Sequence, residues 1–446
     1  MTTPPEDICV ASTFLPLTDD WAEFWTDLRH RLQQRRIELL LLPTTSSDRI
    51  DFPFIRIPYQ LSGFADLISP RPTWSAIPSA TALLDSDAAW SGNSGPIADA
   101  PLGLQVCRDF YRAILDILRP SSVLAWNPTV PQSRVFLAEA TERGVPSWGL
   151  ERGLLPNTLM LESRSVSALT DLSLSPALRS TLRAHVADPE RVTLIRSHYL
   201  SSLPTKYPSR DHCDGASMRR RLGIPPDASM FCLFGSAEAA NTTPRSNHER
   251  RLTSPFFANL PTAAAALHDA LAVDANRWLV IQTHPIDRPH LTLSPGPRLV
   301  VTDAENIHSL LAATDVCAVL GCSTVQFEAL IHEKPLLLLS RSQLSGTSVA
   351  YEFRGGDLSP VVEAAARRKD WKERRCAADR FLDFTCEHFL YGYRGAPVRH
   401  DLDSLCDLLA DLKVPDHDTV DTRLQHFASF LGSYGTDQNP EREERR

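Results

Sequence analysis

Residues 316–339 read V-C-A-V-L-G-C-S-T-V-Q-F-E-A-L-I-H-E-K-P-L-L-L-L, an apolar run, a glycine, an amphipathic stretch and a second apolar run. Each apolar run has strand length, and neither alternates with polar residues, so both faces of each strand must be covered. The stretch between them has helical periodicity and is long enough to carry the chain back to the same edge. That pattern is a right-handed βαβ unit of a parallel sheet. The same alternation starts at the amino end: D-I-C-V-A-S-T, a helix over 21–34, I-E-L-L-L-L-P and F-I-R-I-P-Y. A helix over 102–118, the strand S-V-L-A-W-N, a helix over 132–143 and the strand V-P-S-W-G-L follow. Fold class α/β is expected from that order.

The turn inside the 316–339 unit is also a candidate site. Gly321 permits a tight turn, and Ser323 three residues before Gln326 has the spacing of a capping box, which would open a helix beneath the strand end. The first N–H groups of such a helix, with the hydroxyls of Ser323 and Thr324, suit a phosphate. Glu328, one turn deeper, is placed to accept from two ribose hydroxyls. The plainer reading stands beside it: serine and threonine caps occur wherever helices start, and a second-turn glutamate is commonly a solvated residue. Upstream, W-L-V-I-Q leads through Thr283 to His284 and Pro285, a titratable donor at another strand end.

Composition removes several alternatives. With 446 residues, 43% of them hydrophobic, the chain has material for two cores. Its apolar blocks fall short of the roughly 20 residues of a membrane helix. The start, M-T-T-P-P-E-D-I, lacks a basic region and an apolar segment, so a cytoplasmic location is expected. Nine cysteines without a C-x-x-C pair, among them Cys9, Cys232 and Cys317 inside apparent strands, read as reduced buried thiols. A formal charge of −8 argues against nucleic acid as a partner. The basic runs Arg219, Arg220, Arg221 and 367–375 read as exposed helix faces, with contact to anionic lipid head groups as the further reading. His290, His308 and His332 read as surface or interface histidines, and no spacing of ligands suggests a metal. No Walker motif and no G-x-G-x-x-G follows a strand.

The order W-L-V-I-Q-T-H-P, then V-V-T-D-A-E-N-I-H-S-L-L-A-A-T-D-V, then G-C-S-T-V-Q-F-E-A-L-I-H-E-K-P-L-L-L-L resembles the donor half of GT-B glycosyltransferases of the bacterial capsule polysaccharide biosynthesis and export family, which includes the retaining Kdo transferases. The resemblance implies two Rossmann-like doubly wound parallel-sheet domains around an interdomain cleft. It implies that His284 with Pro285, and Ser323 with Thr324, hold the phosphate of a CMP-activated sugar, and that Glu328 holds the ribose. In the amino-terminal half, V-P-S-W-G-L-E-R-G-L-L-P-N-T-L-M-L-E is similar to the family's acceptor-side E-x-G segment. There Glu151 takes the place of the catalytic carboxylate, with Arg152 and Gly153 beside it. After M-F-C-L-F the chain departs from the family: G-S-A-E-A-A-N-T-T puts Ala239 and Ala240 where aspartates are expected. Gly235, Ser236 and Asn241 remain donor-binding candidates, and Glu238 is the neighbouring candidate for the missing acid. Tyr351, Glu352 and Arg354 are weaker candidates for the donor sugar or base.

The expected domains are an acceptor side over 1–205, a donor side over 206–390, terminal helices over 391–433 packing back on the first, and a disordered tail over 434–446. Residues 68–101 read as a long loop, and 369–389 as a long helix. The resulting expectation is a glycosyltransferase of surface or capsular polysaccharide, independent of metal and cofactor. Its partners would be a nucleotide-sugar donor and a glycan or glycolipid acceptor, with peripheral contact to the inner membrane or an assembly complex as an added reading. Two other readings stay open: a catalytically silent sugar-nucleotide-binding scaffold, favoured by Ala239 and Ala240, and a UDP-sugar epimerase or hydrolase.

Overall fold

The computed structural model describes residues 4–13, 18–45, 50–64 apart from 51, 53, 59 and 60, 100–163 apart from 129, 170–204, 209–235, 255–284, 296–321 apart from 304, 323–412 and 418–434. The expected loop over 68–101 falls outside them except at its last two residues, as does the tail from 435 on.

The chain opens with β1 (Asp7–Thr13), α1 (Asp19–Gln34), β2 (Ile37–Pro43), α2 (Leu61–Phe64), α3 (Ala100–Leu118), β3 (Ser122–Trp126), α4 (Pro131–Glu142) and β4 (Ser147–Arg152). After β5 (Thr158–Glu162) come α5 (Asp171–Leu174), α6 (Pro176–Ala184), α7 (Pro189–Ser202) and α8 (Gly215–Arg221). The next elements are β6 (Ser229–Phe234), α9 (Leu260–Leu271), β7 (Arg277–Gln282), β8 (Leu299–Thr302), α10 (Ile307–Ala313) and β9 (Val316–Val319). They are followed by α11 (Val325–Ile331), β10 (Leu336–Leu338), β11 (Tyr351–Glu352), α12 (Ser359–Ala366), α13 (Trp371–His388) and β12 (Leu390–Gly392). The chain closes with β13 (His400–Asp401), α14 (Leu402–Ala410) and α15 (Val420–Tyr434).

These strands form two sheets, one of seven strands in the order β13-β12-β5-β4-β3-β1-β2 and one of six in the order β11-β10-β9-β6-β7-β8. Both are parallel-dominated, as the unbroken apolar runs require: β1 is buried at every position and pairs in parallel with β2 and β3. The α/β expectation with two Rossmann-like sheets therefore holds.

By contacts the chain divides into two units. The first comprises Met1–Glu151, Leu161–Val166 and His400–Arg446; the second comprises Arg152–Met160 and Ser167–Arg399. The boundary differs from the expected one near 205. Residues 167–205 group with the second unit because the helices there are tied to α13: Arg191 of α7 pairs with Asp383 and Glu387, and Arg196 with Asp379. The long helix expected over 369–389 is α13, and it too belongs to the second unit; the return to the first unit begins at His400.

In the first unit, alternation divides the core. Ile8, Val10, Leu40, Leu42, Val123 and Ala125 cluster with Leu104, Phe110 and Tyr111 of α3, Phe136 of α4 and Phe427 of α15. Trp21 of α1 meets Trp126 edge to face at 4.6 Å. The segment F-I-R-I-P-Y, expected as a strand, contributes only an isolated bridge between Leu41 and Phe54. Ile55 and Ile57 do bond the backbone of β2, but Pro58 has no N–H to extend the ladder. In the second unit, Phe231, Leu233, Leu279, Ile281, Val316 and Ala318 pack against α9 and α12. Phe327 of α11 and Phe381 of α13 stack at 5.7 Å.

Candidate functional site

From one edge to the other, the second sheet runs β8-β7-β6-β9-β10-β11, so the chain builds outward from β6 in one direction and then from β9 in the other. The reversal lies between β6 and β9. In open parallel sheets the crevice beyond the carboxyl ends at such a reversal is where ligands bind. The register puts those ends level, with Phe234 opposite both Gln282 and Val319.

Gly235, buried, leaves β6 with its N–H on the Gln282 carbonyl at 3.3 Å. His284, half-buried, leaves β7 just after Thr283, whose N–H bonds the Thr302 carbonyl at 3.0 Å. Past β9, Gly321 turns the chain with φ 85°, a left-handed conformation that glycine adopts without a Cβ penalty. Its N–H is donated to the Ser340 hydroxyl at 2.6 Å, which ties the turn to the chain beyond β10. Ser323 is half-buried and Thr324 exposed. Sequence-expected donor groups from three strands thus gather at one sheet edge. Ser236, Glu238, Asn241 and Pro285 lie outside the described residues, as do Ala239 and Ala240.

One expectation at this edge needs correction. The capping box from Ser323 to Gln326 is not formed: Thr324 is the cap residue, with helical angles and no side-chain cap bond, and α11 has seven residues. The Gln326 side chain is 1% exposed, with its amide oxygen and nitrogen unpaired, so it has turned into the core and cannot reach back to Ser323. Ser323 Oγ instead accepts from the Val325 N–H at 3.4 Å. Glu328, half-buried, has one oxygen in use: its Oε1 accepts from the Tyr199 hydroxyl at 2.9 Å. Burial, and then the Glu328 charge, push the Tyr199 phenol well above its ordinary range, so it stays a donor.

The histidines beside this edge are structural as well. His308 is fully buried, donates from Nε2 to the Pro204 carbonyl at 2.8 Å, and meets His332 Nε2 through Nδ1 at 3.2 Å. Burial, the His308 ring and Lys334 push His332 down to about 4, and burial lowers His308 too, so both are neutral near pH 7. The surface reading of these two histidines is overturned; His290 lies outside the described residues. Arg219 also departs from the exposed reading of its run, binding the carbonyls of Ala313 and Ala228 and the carboxylate of Asp315.

Glu151 and Arg152 end β4 and are half-buried. Gly153 has a packing reason to be glycine: a Cβ there would come within 2.0 Å of the Thr158 hydroxyl, and its N–H bonds the Thr158 carbonyl at 2.8 Å. Of the weaker candidates, Tyr351 is structural, with its hydroxyl on the Lys369 carbonyl at 2.8 Å and Arg374 over its ring at 4.0 Å.

Glu352 and Arg354 line a pocket of about 560 Å³ beyond β10 and β11, together with Ser173, Arg179, Phe256, Ser340, Arg341, Ser342, Ser345, Gly346 and Phe353. The pocket serines and Arg179 were missed in the sequence. The run S-R-S-Q-L-S-G-T-S after a buried strand is their one local sign, and Arg179 comes from a helix more than 150 residues upstream. Among the described residues, His185, Glu387 and His388 could together approach a metal ion, with ligand atoms within 4.8 Å of one another. Both Glu387 oxygens, however, are already on arginines, Arg191 at 2.8 Å and Arg399 at 2.6 Å.

No family model and no curated protein matches the chain. Among solved structures it is similar to KpsC, a beta Kdo 2,4 transferase of Thermosulfurimonas dismutans, at 16% identity and TM-score 0.39, over 65% of this chain and 87% of that one. It is also similar to the UDP-GlcNAc 2-epimerase of Methanocaldococcus jannaschii in complex with UDP-GlcNAc and UDP, at 11% identity and TM-score 0.38, over 84% and 98%. A third is the spinosyn rhamnosyltransferase SpnG, at 15% identity and TM-score 0.36, over 90% and 99%. Likeness at this distance carries no functional argument, which has to come from the chain's own sheet order and residues. Among the described residues no helix is long and apolar enough to cross a membrane.

Proposed function

We propose that this chain is a glycosyltransferase that binds a nucleotide-activated sugar, CMP-linked, at the carboxyl edge of the second sheet and transfers the sugar to a hydroxyl of a glycan or glycolipid acceptor in surface polysaccharide synthesis. The observation that supports it is the placement of Gly235, His284, Gly321, Ser323 and Thr324 at the strand ends around the strand-order reversal. Glycines at two strand ends let a phosphate approach the backbone closely, and His284 offers a donor that can carry positive charge.

In the transfer, the bond between the anomeric carbon and the phosphate oxygen breaks, its electron pair staying with the phosphate. His284 and the Ser323 and Thr324 hydroxyls stabilise that developing charge. The acceptor oxygen bonds the anomeric carbon and gives its proton to a general base, the role that the sequence resemblance gives to Glu151. Glu328 acts on the ribose while keeping the hydrogen bond from Tyr199.

Calorimetric titration with CMP, CDP, UDP and GMP tests the reading, on the native chain and on His284→Ala. CMP binding that disappears in the variant supports it. UDP preferred over CMP, with product formed without an acceptor, would give the site to an epimerase or hydrolase. Binding of no nucleotide would leave the scaffold reading without its ligand and sink the proposal.

A further inference from the structure

Three serines along the chain beyond β10 have their oxygens engaged and their protons to give. Ser340 Oγ accepts from the Gly321 N–H at 2.6 Å, Ser342 Oγ from the Leu344 N–H at 3.0 Å, and Ser345 Oγ from the Ser342 N–H at 3.0 Å. A hydroxyl carries one proton of its own, and among the described residues none of these three gives it to an acceptor. Ser340 and Ser342 are 5% and 1% exposed, so bulk water is a poor substitute.

One cation beside them also has its donors free. Arg179, on α6, lies over Gly346, where an added Cβ would be 3.3 Å from its Nη1, and its guanidinium makes no hydrogen bond or ion pair among the described residues. Arg341 and Arg354 bring the arginines of the lining to three, against one carboxylate, that of Glu352. That carboxylate is already committed, accepting from the Gly346 N–H at 2.7 Å and from Arg354 at 3.4 Å. Phe256 and Phe353, edge to face at 5.1 Å, supply an apolar wall.

A pocket rich in donors and short of acceptors is complementary to an anion. We infer that it is a binding site for an oxyanion, the carboxylate or phosphate of a ligand whose apolar face rests on Phe256 and Phe353. Arg179 and the Ser340, Ser342 and Ser345 hydroxyls complete its hydrogen bonds. Charge-assisted bonds from a guanidinium are about twice as strong as neutral ones, so Arg179 dominates recognition and the serines set the orientation. The inference is tested apart from the nucleotide reading through Arg179 and Ser342, which lie beyond β10 and are not among the donor-site residues, although Ser340 also holds the Gly321 turn.

The test is calorimetric titration with inorganic phosphate and, separately, with glucuronate, on the native chain and on Arg179→Gln, Ser342→Ala, His284→Ala and Arg367→Gln. Saturable binding of at least one anion is expected, weakened about tenfold by Arg179→Gln and several-fold by Ser342→Ala. It should be unchanged by Arg367→Gln, an exposed control, and glucuronate binding should be unchanged by His284→Ala; phosphate binding lost only in His284→Ala belongs to the donor site instead. Tighter glucuronate would assign a carboxylate and tighter phosphate a phosphoryl group, and either supports the site. No saturable binding of either anion, or equal binding by native chain and Arg179→Gln, overturns it. If circular dichroism shows that Arg179→Gln is unfolded, equal binding by Ser342→Ala overturns it instead. CMP binding that needs His284, without anion binding that needs Arg179, would remove this inference alone; the reverse would remove the nucleotide reading alone.

Discussion

Two clusters in the second unit use the same chemistry and are finished differently. Around Asp383, which is fully buried, Arg191 pairs through two nitrogens, the Asp188 N–H donates at 3.1 Å and His185 at 2.7 Å. Burial alone would raise that carboxyl, but Arg191, Asp188 and His185 outweigh it and hold it below the usual range. In the pocket beyond β10 the Glu352 carboxylate is taken by Arg354 and the Gly346 N–H, and Arg179 and three serine hydroxyls are left without an acceptor among the described residues. A completed constellation is architecture, and one that lacks its counter-ion is a place for a ligand. Arginine content alone could not have told the two apart.

The comparison breaks most readily at Asp383. Asp383→Ala leaves Arg191 and His185 without their carboxylate, and removal of one partner of a buried pair costs about 3–5 kcal/mol. Urea unfolding should show a loss of that size; a loss below about 1 kcal/mol would mean that the cluster is not structural.

The neutral pair of His308 and His332 sharpens the contrast, because it is complete only while uncharged. A histidine pushed from 6.5 down to about 4 on folding contributes stability that is fully present above about pH 6.5 and is lost as pH falls to about 4. The contribution is on the order of 3 kcal/mol by the usual equivalence of pKa and free energy. The carboxyls of Asp383 and Glu139, both lowered, act in a more acid window, below their unfolded values near 4. In His332→Gln the fall in melting temperature between pH 6.5 and 4.5 should flatten while the steeper fall below pH 4 remains. An unchanged profile would contradict the buried neutral pair.

Tyr199→Phe removes the hydroxyl from Glu328 and should cost about 1–2 kcal/mol. If Glu328 also serves a ribose, the Kd for CMP rises several-fold in the same variant, whereas a purely structural Glu328 leaves Kd unchanged. The smallest effect is expected where the contrast is sharpest. Arg179→Gln should alter unfolding by no more than about 0.5 kcal/mol, since its guanidinium has no partner to lose among the described residues. A larger loss would place Arg179 with Arg191 as a structural cation.

The strand ends were the legible part of the sequence. Uninterrupted apolar runs such as M-F-C-L-F and V-C-A-V admit few alternatives to a buried parallel strand, and a glycine after each marks a turn, which is why Gly235, His284 and Gly321 could be placed in advance. Local polar chemistry was less legible. Ser323 and Gln326 have the spacing of a capping box, but spacing says nothing about burial, and the Gln326 side chain faces the core. Glu328 could not be read as a tyrosine acceptor because Tyr199 lies 129 residues away. Arg179 was hidden for the same reason, and the domain boundary was misplaced because the ion pairs that hold α7 to α13 span almost 200 residues.

The arrangement of the first unit bears on the order of synthesis. Arg423, 1% exposed in its side chain, donates to the carbonyls of Leu118 and Arg119, and across 417 residues to that of Glu6. Val420 and Phe427 fill the same core. The core of the first unit is therefore assembled mostly from residues 8–140 and closed by residues far along the chain, whereas most of the second unit, 167–399, is contiguous in sequence. The two units therefore differ in the order in which their cores are supplied: the first draws on Val420 and Phe427, which follow the whole of 167–399 in the chain, and the second does not wait for them.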